Sequence, residues 1–223
     1  VKEGAKVVAF PELCVTGYTC GDLFTQEVLL KEARAALHKI ARHTKGKDAL
    51  IFVGVPVAVE GKLYNVAAAL NQGKILGLTT KSFLPNYGEF YEMRQFTEGP
   101  SAAREILFDG EKMPFGPQLL FVADSMESLV VSAEICEDAW SSVPPSIEAA
   151  REGAVIIANC SASDETVGKS TYRRNLIEGQ SARLICGYLY ANAGEGESTT
   201  DLVFGGHNLI AENGSVLKEG RRF

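Results

Sequence analysis

The stretch ALIFVGVPVAVEGKLYNVAAALNQGKILGLTT, residues 49–80, contains three apolar runs separated by two short turn sequences. Glu60-Gly61 separates the first two runs, and Asn71-Gln72-Gly73 separates the last two. Glycine and asparagine adopt the backbone conformations that tight hairpin turns require. The stretch therefore predicts an antiparallel meander of three strands, which we expect at residues 49–59, 62–70 and 74–80.

On either side of this meander, apolar runs alternate with helical patterns. Further strands are expected at residues 6–10, 128–135, 154–159, 187–193 and 201–210, and helices at 22–45, 145–152 and 170–185. Residues 81–118 are rich in Pro, Gly and charge, and they predict mostly loop with one short strand. The alternation is typical of the α/β class, and the length fits one domain over residues 1–223.

Both ends of the chain lie close to predicted strands. The chain opens on Val1 rather than Met, and it stops at Arg221-Arg222-Phe223, directly after a strand-like run. We therefore expect a fragment of a longer polypeptide, truncated at both ends.

The composition excludes several classes of function. A net charge of −6, from 28 acidic and 22 basic residues, argues against binding nucleic acid or an anionic membrane. No apolar run reaches the length of a transmembrane helix. The five cysteines form no C-x-x-C pair and no zinc-like cluster with histidine, so we expect reduced thiols, no metal and a cytoplasmic location.

Three reactive side chains each follow a predicted strand directly, namely Glu12, Lys81 and Cys136. Sites in α/β proteins gather at the carboxyl ends of strands, so these three residues are candidates for one site. A thiol, a carboxylate and a cation are a sufficient set for acyl transfer. Taken singly, each has an ordinary structural explanation: a packed core thiol, a solvated charge at a strand edge, and a loop-capping carboxylate.

The motifs around these residues indicate the chemistry of the site more specifically than the three residues alone. The motifs are F-P-E-L-x-x-x-G-Y at residues 10–18, K-x-x-L-P-N-Y-x-E-F-x-E at 81–92 and E-I-C-E-D-A-W at 134–140. In this order they resemble the three catalytic boxes of the nitrilase superfamily of carbon-nitrogen hydrolases. Their residues are most similar to those of the glutaminase domains of glutamine-dependent NAD synthetases. The resemblance implies a four-layer α-β-β-α sandwich that pairs with another copy into a homo-oligomer.

The resemblance also implies a role for each reactive residue. Cys136 would be the nucleophile, and because a free thiol is mostly protonated at neutral pH, Glu12 would serve as its general base. Lys81 and the backbone N–H of Glu137 would stabilise the oxyanion of the tetrahedral intermediate.

The second box contains further candidates. Glu89 lies eight residues after Lys81, where the superfamily has a second carboxylate, and we expect it to orient Lys81 and the substrate amide. Glu92 is a close competitor for that role, and Glu89 could equally be an exposed loop acid. Tyr87 and Phe90 are expected to form walls of the substrate slot, although both could be plain packing aromatics.

A pocket for glutamine needs an acidic partner for the α-ammonium group and donors for the α-carboxylate. Glu137 or Asp138 would suit the ammonium group, and the resemblance favours Glu137. Ser163 and Lys169 would suit the carboxylate, with Arg173 and Arg174 as further candidates.

The activity implied is hydrolysis of L-glutamine to glutamate and ammonia. The ammonia would pass to an ATP-dependent synthetase domain of the same longer chain, which makes NAD from its deamido precursor. Neither an S-G-G-x-D-S nor a G-x-x-x-x-G-K-[ST] phosphate loop occurs here, so we expect no cofactor in this domain, with ATP and Mg confined to the synthetase domain. Two alternatives stay open: a free-standing aliphatic amidase or nitrilase, and an inactive assembly scaffold.

Overall fold

The computed structural model describes residues 1–223 and contains two six-stranded sheets. The first sheet has the order β1-β2-β3-β4-β6-β5 and the second has the order β12-β11-β10-β9-β8-β7. The strands of the first sheet are β1 (Val7–Ala9), β2 (Leu50–Val59), β3 (Lys62–Asn71), β4 (Lys74–Thr80), β5 (Arg104–Phe108) and β6 (Glu111–Gly116). Those of the second are β7 (Phe121–Ala123), β8 (Met126–Ile135), β9 (Ile156–Ser161), β10 (Gly187–Asn192), β11 (Leu209–Glu212) and β12 (Ser215–Glu219).

The predicted meander is confirmed. β2 pairs antiparallel with β3, and β3 pairs antiparallel with β4. β2 is buried at nearly every position because both of its faces are covered, which explains its continuous apolar run. One face contacts the second sheet, and the other contacts a helix.

The helices cover the outer faces of the two sheets. α1 (Glu27–His43) places Ala33, Leu37 and Ala41 against the first sheet. α2 (Pro145–Arg151) and α3 (Lys169–Leu184) pack on the second sheet, where Ile177 joins a cluster of buried residues from β9, β10 and β11. Between the sheets lie mainly small and apolar residues: Phe52, Ala67, Ala69, Val131, Ala133 and Ala158. The predicted α-β-β-α order of layers is therefore confirmed.

Three local predictions were wrong. Residues 81–118 contain the β5–β6 hairpin, because Asp109 and Gly110 both take positive φ (51° and 84°) in the tight turn between the strands. The strand expected at 201–210 begins only at Leu209, since the preceding segment inserts Leu202 and Phe204 into a separate apolar cluster. The helix expected from residue 22 begins at Glu27 and follows a 3₁₀ segment at Tyr18–Thr25.

The strands bring the three motif segments to one region. β1, β4 and β8 end just before Glu12, Lys81 and Cys136, respectively. Gly54 in β2 permits the close approach of the first segment, because a Cβ atom there would lie 2.3 Å from the Leu13 nitrogen. No helix is both long and apolar enough to cross a membrane.

Candidate active site

Glu12, Lys81 and Cys136 are all buried, with no more than 4% of each residue exposed. Lys81 Nζ donates hydrogen bonds to Glu12 Oε1 and to Glu92 Oε1, at 2.6 Å each. The site therefore has one ammonium group between two carboxylates. A buried charge is tolerated only when it is paired and hydrogen-bonded in this way.

Two further donors orient the Glu12 carboxylate. Asn65 Nδ2 donates to Glu12 Oε1 at 2.6 Å, and the Ala162 N–H donates to Glu12 Oε2 at 2.9 Å. The Ala162 N–H also faces the sulfur of Cys136 and favours its anionic form. The Glu12 carboxylate and the Cys136 sulfur therefore lie next to the same backbone amide.

Cys136 occupies a strained turn between β8 and a short 3₁₀ helix at Cys136–Trp140. Its φ is 45°, in the left-handed region that residues with a Cβ rarely adopt, at a cost of about 1–3 kcal/mol. The Cys136 N–H donates to Asn159 Oδ1 at 3.2 Å, which helps to hold the turn. Strain of this kind concentrates at functional positions.

The electrostatics keep the thiol protonated at rest. Burial raises the pKa of Cys136 well above its ordinary value, and the charges of Glu12 and Glu92 raise it further, while Lys81 opposes them. Burial alone would lower the pKa of Lys81, but Glu12 and Glu92 outweigh that effect and raise it. The resting site therefore contains a neutral thiol next to a charged ammonium group, and the thiol needs a base to become nucleophilic.

The prediction that Glu89 orients Lys81 was wrong. The carboxylates that bind Lys81 are those of Glu12 and Glu92, whereas Glu89 is partly exposed. Backbone hydrogen bonds fold the loop back, among them Glu92 N–H to Pro85 O at 3.2 Å, and this bend directs Glu92 inward. Burial raises the pKa of Glu92 to about 7, against the opposing effect of Lys81.

The aromatic residues of the second box contact two of the predicted substrate ligands. The Tyr87 hydroxyl donates to Glu137 Oε1 at 2.9 Å, and the rings of Tyr87 and Phe90 meet edge to face. Lys169 Nζ lies 5.5 Å from the centre of the Phe90 ring and forms an ion pair with Asp164. An acid and a cation therefore lie on the same aromatic wall.

The other proposed ligands have different surroundings. Ser163 is buried, and its Oγ accepts a hydrogen bond from Arg173 Nη2 at 3.2 Å. Arg173 is itself fully buried, whereas Arg174 is partly exposed and pairs with Glu219. Asp138 is fully buried and accepts hydrogen bonds from backbone amides, so it is not available to a substrate ammonium group.

Sequence reasoning missed the side chains that hold the reactive groups. Asn65 and Asn159 have polar contacts at the site but lie in apolar strands with no motif of their own. Tyr18 ends the first box, but the sequence did not indicate that its hydroxyl donates to Glu92 Oε1. Glu92 was the exception, since it was named as the alternative to Glu89. No group of three or more His, Cys, Asp or Glu residues is arranged to hold a metal ion.

The fold and this site together define a class: α-β-β-α sandwich proteins that bring a buried carboxylate, ammonium group and thiol to the ends of their strands. The family model for carbon-nitrogen hydrolases matches residues 1–223. The chain belongs to the carbon-nitrogen hydrolase family, which confirms the predicted resemblance.

Two relatives show which proteins of this family the chain resembles. The chain is 41% identical over 221 residues to the glutamine-dependent NAD(+) synthetase of Mycobacterium tuberculosis (strain ATCC 25618 / H37Rv), covering 99% of this chain and 32% of the relative. It is 32% identical over 222 residues to the enzyme of the same name from Thermotoga maritima, covering 99% of this chain and 35% of the relative. The chain thus spans about a third of the length of these relatives.

Solved structures show the same fold. A glutamine-dependent NAD(+) synthetase from Cytophaga hutchinsonii aligns with a TM-score of 0.86 at 32% identity, covering 97% of this chain and 35% of that chain. An amidase from Nesterenkonia sp. aligns with a TM-score of 0.73 at 21% identity, covering 100% of this chain and 75% of that chain.

Proposed function

We propose that this chain hydrolyses the side-chain amide of L-glutamine to glutamate and ammonia through a thioester on Cys136. The observation that carries this proposal is the buried cluster of Glu12, Lys81 and Cys136, in which the carboxylate is already bound to the ammonium group. The similarity to enzymes named glutamine-dependent NAD(+) synthetases supports glutamine as the substrate.

The first step is attack on the amide. Glu12 takes the proton from Cys136 Sγ, and the sulfur forms a bond to the amide carbon while the carbonyl electrons move to oxygen. Lys81 Nζ is one stabiliser of this oxyanion. The Glu137 N–H is the other, because it lies in the first turn of the 3₁₀ helix, where N–H groups have no intrahelical acceptor.

The second step releases ammonia. Glu12 gives its proton to the amide nitrogen, the carbon–nitrogen bond breaks, and a neutral ammonia molecule leaves a thioester on Cys136. Water then loses a proton to Glu12 and attacks the thioester carbon. Cleavage of the carbon–sulfur bond frees glutamate, and the proton returns from Glu12 to the sulfur.

The charges on the aromatic wall suit the ends of a glutamine molecule. In this proposal Glu137 binds the α-ammonium group, Ser163 and Lys169 bind the α-carboxylate, and Tyr87 and Phe90 enclose the carbon chain between them. Both charged residues already have partners, Tyr87 and Asp164, which keep them in place before the substrate arrives.

The ammonia would supply an ATP-dependent synthetase domain that converts deamido-NAD to NAD. This part of the proposal is supported by the names of the relatives, of which the chain spans about a third. In that arrangement ATP and Mg belong to the synthetase domain, and the glutaminase domain would assemble with other copies into a homo-oligomer.

The test is ammonia release from a panel of amides. We expect turnover of L-glutamine and at least tenfold lower kcat/KM for aliphatic amides such as propionamide, because they lack the charges that Glu137 and Lys169 would bind. Equal or faster turnover of propionamide would favour a free-standing amidase. Failure of an electrophilic glutamine analogue to label Cys136 would favour an inactive scaffold.

A further inference from the structure

Asp138 is fully buried two residues after the proposed nucleophile and binds no cation. Its two carboxylate oxygens instead accept three backbone hydrogen bonds. Asp138 Oδ1 accepts from the N–H groups of Ser82 and Phe83, at 2.9 Å each. Asp138 Oδ2 accepts from the Ile135 N–H, also at 2.9 Å.

These three amides belong to the two turns that present the reactive groups. Ser82 directly follows Lys81, and Ile135 directly precedes Cys136. One carboxylate therefore ties the end of β4 in the first sheet to the end of β8 in the second. Asp138 has no side-chain hydrogen bond to Lys81 or Cys136; apart from the charge of Lys81, which favours its ionised form, it contacts the two turns through these backbone bonds.

The nearby acid Glu134 has different contacts from those of Asp138. Glu134 also lies behind the site, where it accepts from the Tyr188 hydroxyl and from the Ser146 N–H. Burial raises the pKa of Asp138 to about 8, and the charge of Glu134 adds to this effect, while the Ile135 N–H opposes it. Hydrogen bonds to an ionised acceptor are stronger than those to a neutral one, so the clamp is tightest when Asp138 is charged.

We propose that Asp138 is a positioning residue that sets the distance between Cys136 Sγ and Lys81 Nζ. This inference rests on the proposed function and deepens it. A residue that only places the reactive groups should act on kcat and leave substrate affinity unchanged, and a misplacement of about 1 Å typically costs about 100-fold in rate.

The main variant is Asp138→Asn, which keeps the size of the side chain but turns an NH₂ group toward at least one backbone N–H. We expect kcat for glutamine to fall about 100-fold, with KM within about twofold of the wild-type value. The adjacent variant Glu137→Gln should instead raise KM, because it alters a proposed substrate ligand. Asp124→Asn, in the exposed turn between β7 and β8, is the matched control for the chemical change.

A second measurement does not depend on glutamine. The rate at which iodoacetamide alkylates Cys136, followed by mass spectrometry as a function of pH, reports on the thiol and its base directly. Asp138→Asn should slow this reaction at least tenfold, with a changed pH profile, whereas Asp124→Asn should match the wild type. If the wild-type chain alkylates normally but does not hydrolyse glutamine, the proposed function fails and the alkylation data still decide the role of Asp138.

Stability measurements complete the test. An Asp138→Asn protein whose kcat and alkylation rate, per folded molecule, equal those of the wild type would overturn the proposal, and so would a rise in KM alone. If Asp138→Asn does not fold, Asp138→Ala with added formate replaces it, and restoration of activity by formate would support the clamp. If neither variant folds, Asp138 has a structural role only and the proposal is wrong.

Discussion

At the scale of single residues, Cys136 is held in an environment that suppresses its own reactivity. Burial and two nearby carboxylates raise the pKa of its thiol, so the thiol is protonated in the resting site. Nucleophilic attack then requires proton transfer to a base that lies within reach. In the proposed mechanism Glu12 is this base, because three hydrogen bonds hold its carboxylate in place and its charge acts on the thiol.

This arrangement predicts a clear difference between two substitutions. Cys136→Ala should abolish glutamine hydrolysis, because it removes the atom that forms the thioester. Glu12→Gln should lower kcat about 10²–10⁴-fold while the thiol remains available to a strong alkylating agent. Steady-state ammonia release and mass spectrometry of the labelled protein measure both effects, and substantial turnover by Cys136→Ala would contradict the mechanism.

Glu92 and Glu89 provide a second comparison at this scale. Glu92→Gln should lower kcat at least tenfold because it removes a carboxylate bound to Lys81, whereas Glu89→Gln should change it less than threefold. Because burial raises the pKa of Glu92 to about 7, activity should rise with pH through an inflection near that value. Rate profiles across pH should lose this inflection in Glu92→Gln, and an unchanged profile would argue against the assignment.

At the scale of elements, the order of strands and turns decides which residues meet. The sequence predicted the meander well, because Glu60-Gly61 and Asn71-Gln72-Gly73 carry strong turn chemistry between apolar runs. It also predicted that Glu12, Lys81 and Cys136 follow strands. It did not decide between Glu89 and Glu92, because a short 3₁₀ turn and a backbone hydrogen bond to Pro85 decide where the Glu92 side chain points.

The same limit applies to Asn65 and Asn159. Each stands within or at the end of an apolar strand, where spacing indicates burial but not the partner across the sheet. Their roles depend on register between strands and on contacts between the two sheets. Those contacts join residues far apart in the chain, so local patterns contain no signal for them.

Gly54 allows a test of how β2 positions the segment that contains Glu12. Gly54→Ala would place a Cβ atom 2.3 Å from the Leu13 nitrogen and 2.4 Å from the Pro11 oxygen, so the backbone on either side of Glu12 must shift. We expect a loss of about 1–3 kcal/mol in the free energy of unfolding and a marked fall in kcat. Denaturant unfolding and turnover measure these effects, with Gly179→Ala, in open space and without positive φ, as the control.

At the scale of the whole molecule, several acids are buried together around the site. Burial raises the pKa of Glu92 to about 7 and that of Asp138 to about 8, and it also raises the pKa of Glu134. Groups whose pKa is raised on folding bind more protons in the folded state than in the unfolded state. Their protonated forms therefore contribute stability at low pH that is lost as the pH rises.

The sign of this linkage gives a measurable trend. The contribution of these acids is fully present below their unfolded pKa values, and it declines as the pH rises through about 7 and 8. We expect the thermal midpoint to be higher near pH 6 than near pH 9, and the slope to be smaller in Glu92→Gln. A midpoint that rises steadily over this interval would contradict the pKa shifts.

The burial of Lys81 between Glu12 and Glu92 also predicts how the site responds to dissolved salt. With only 1% of Lys81 exposed, dissolved ions cannot approach the three charges closely, and the shielding that weakens surface ion pairs does not reach them. The electrostatic environment of the thiol should therefore be nearly the same in dilute buffer and in concentrated brine. Within the site, ionic strength should act on the partly exposed charges of Glu137 and Lys169.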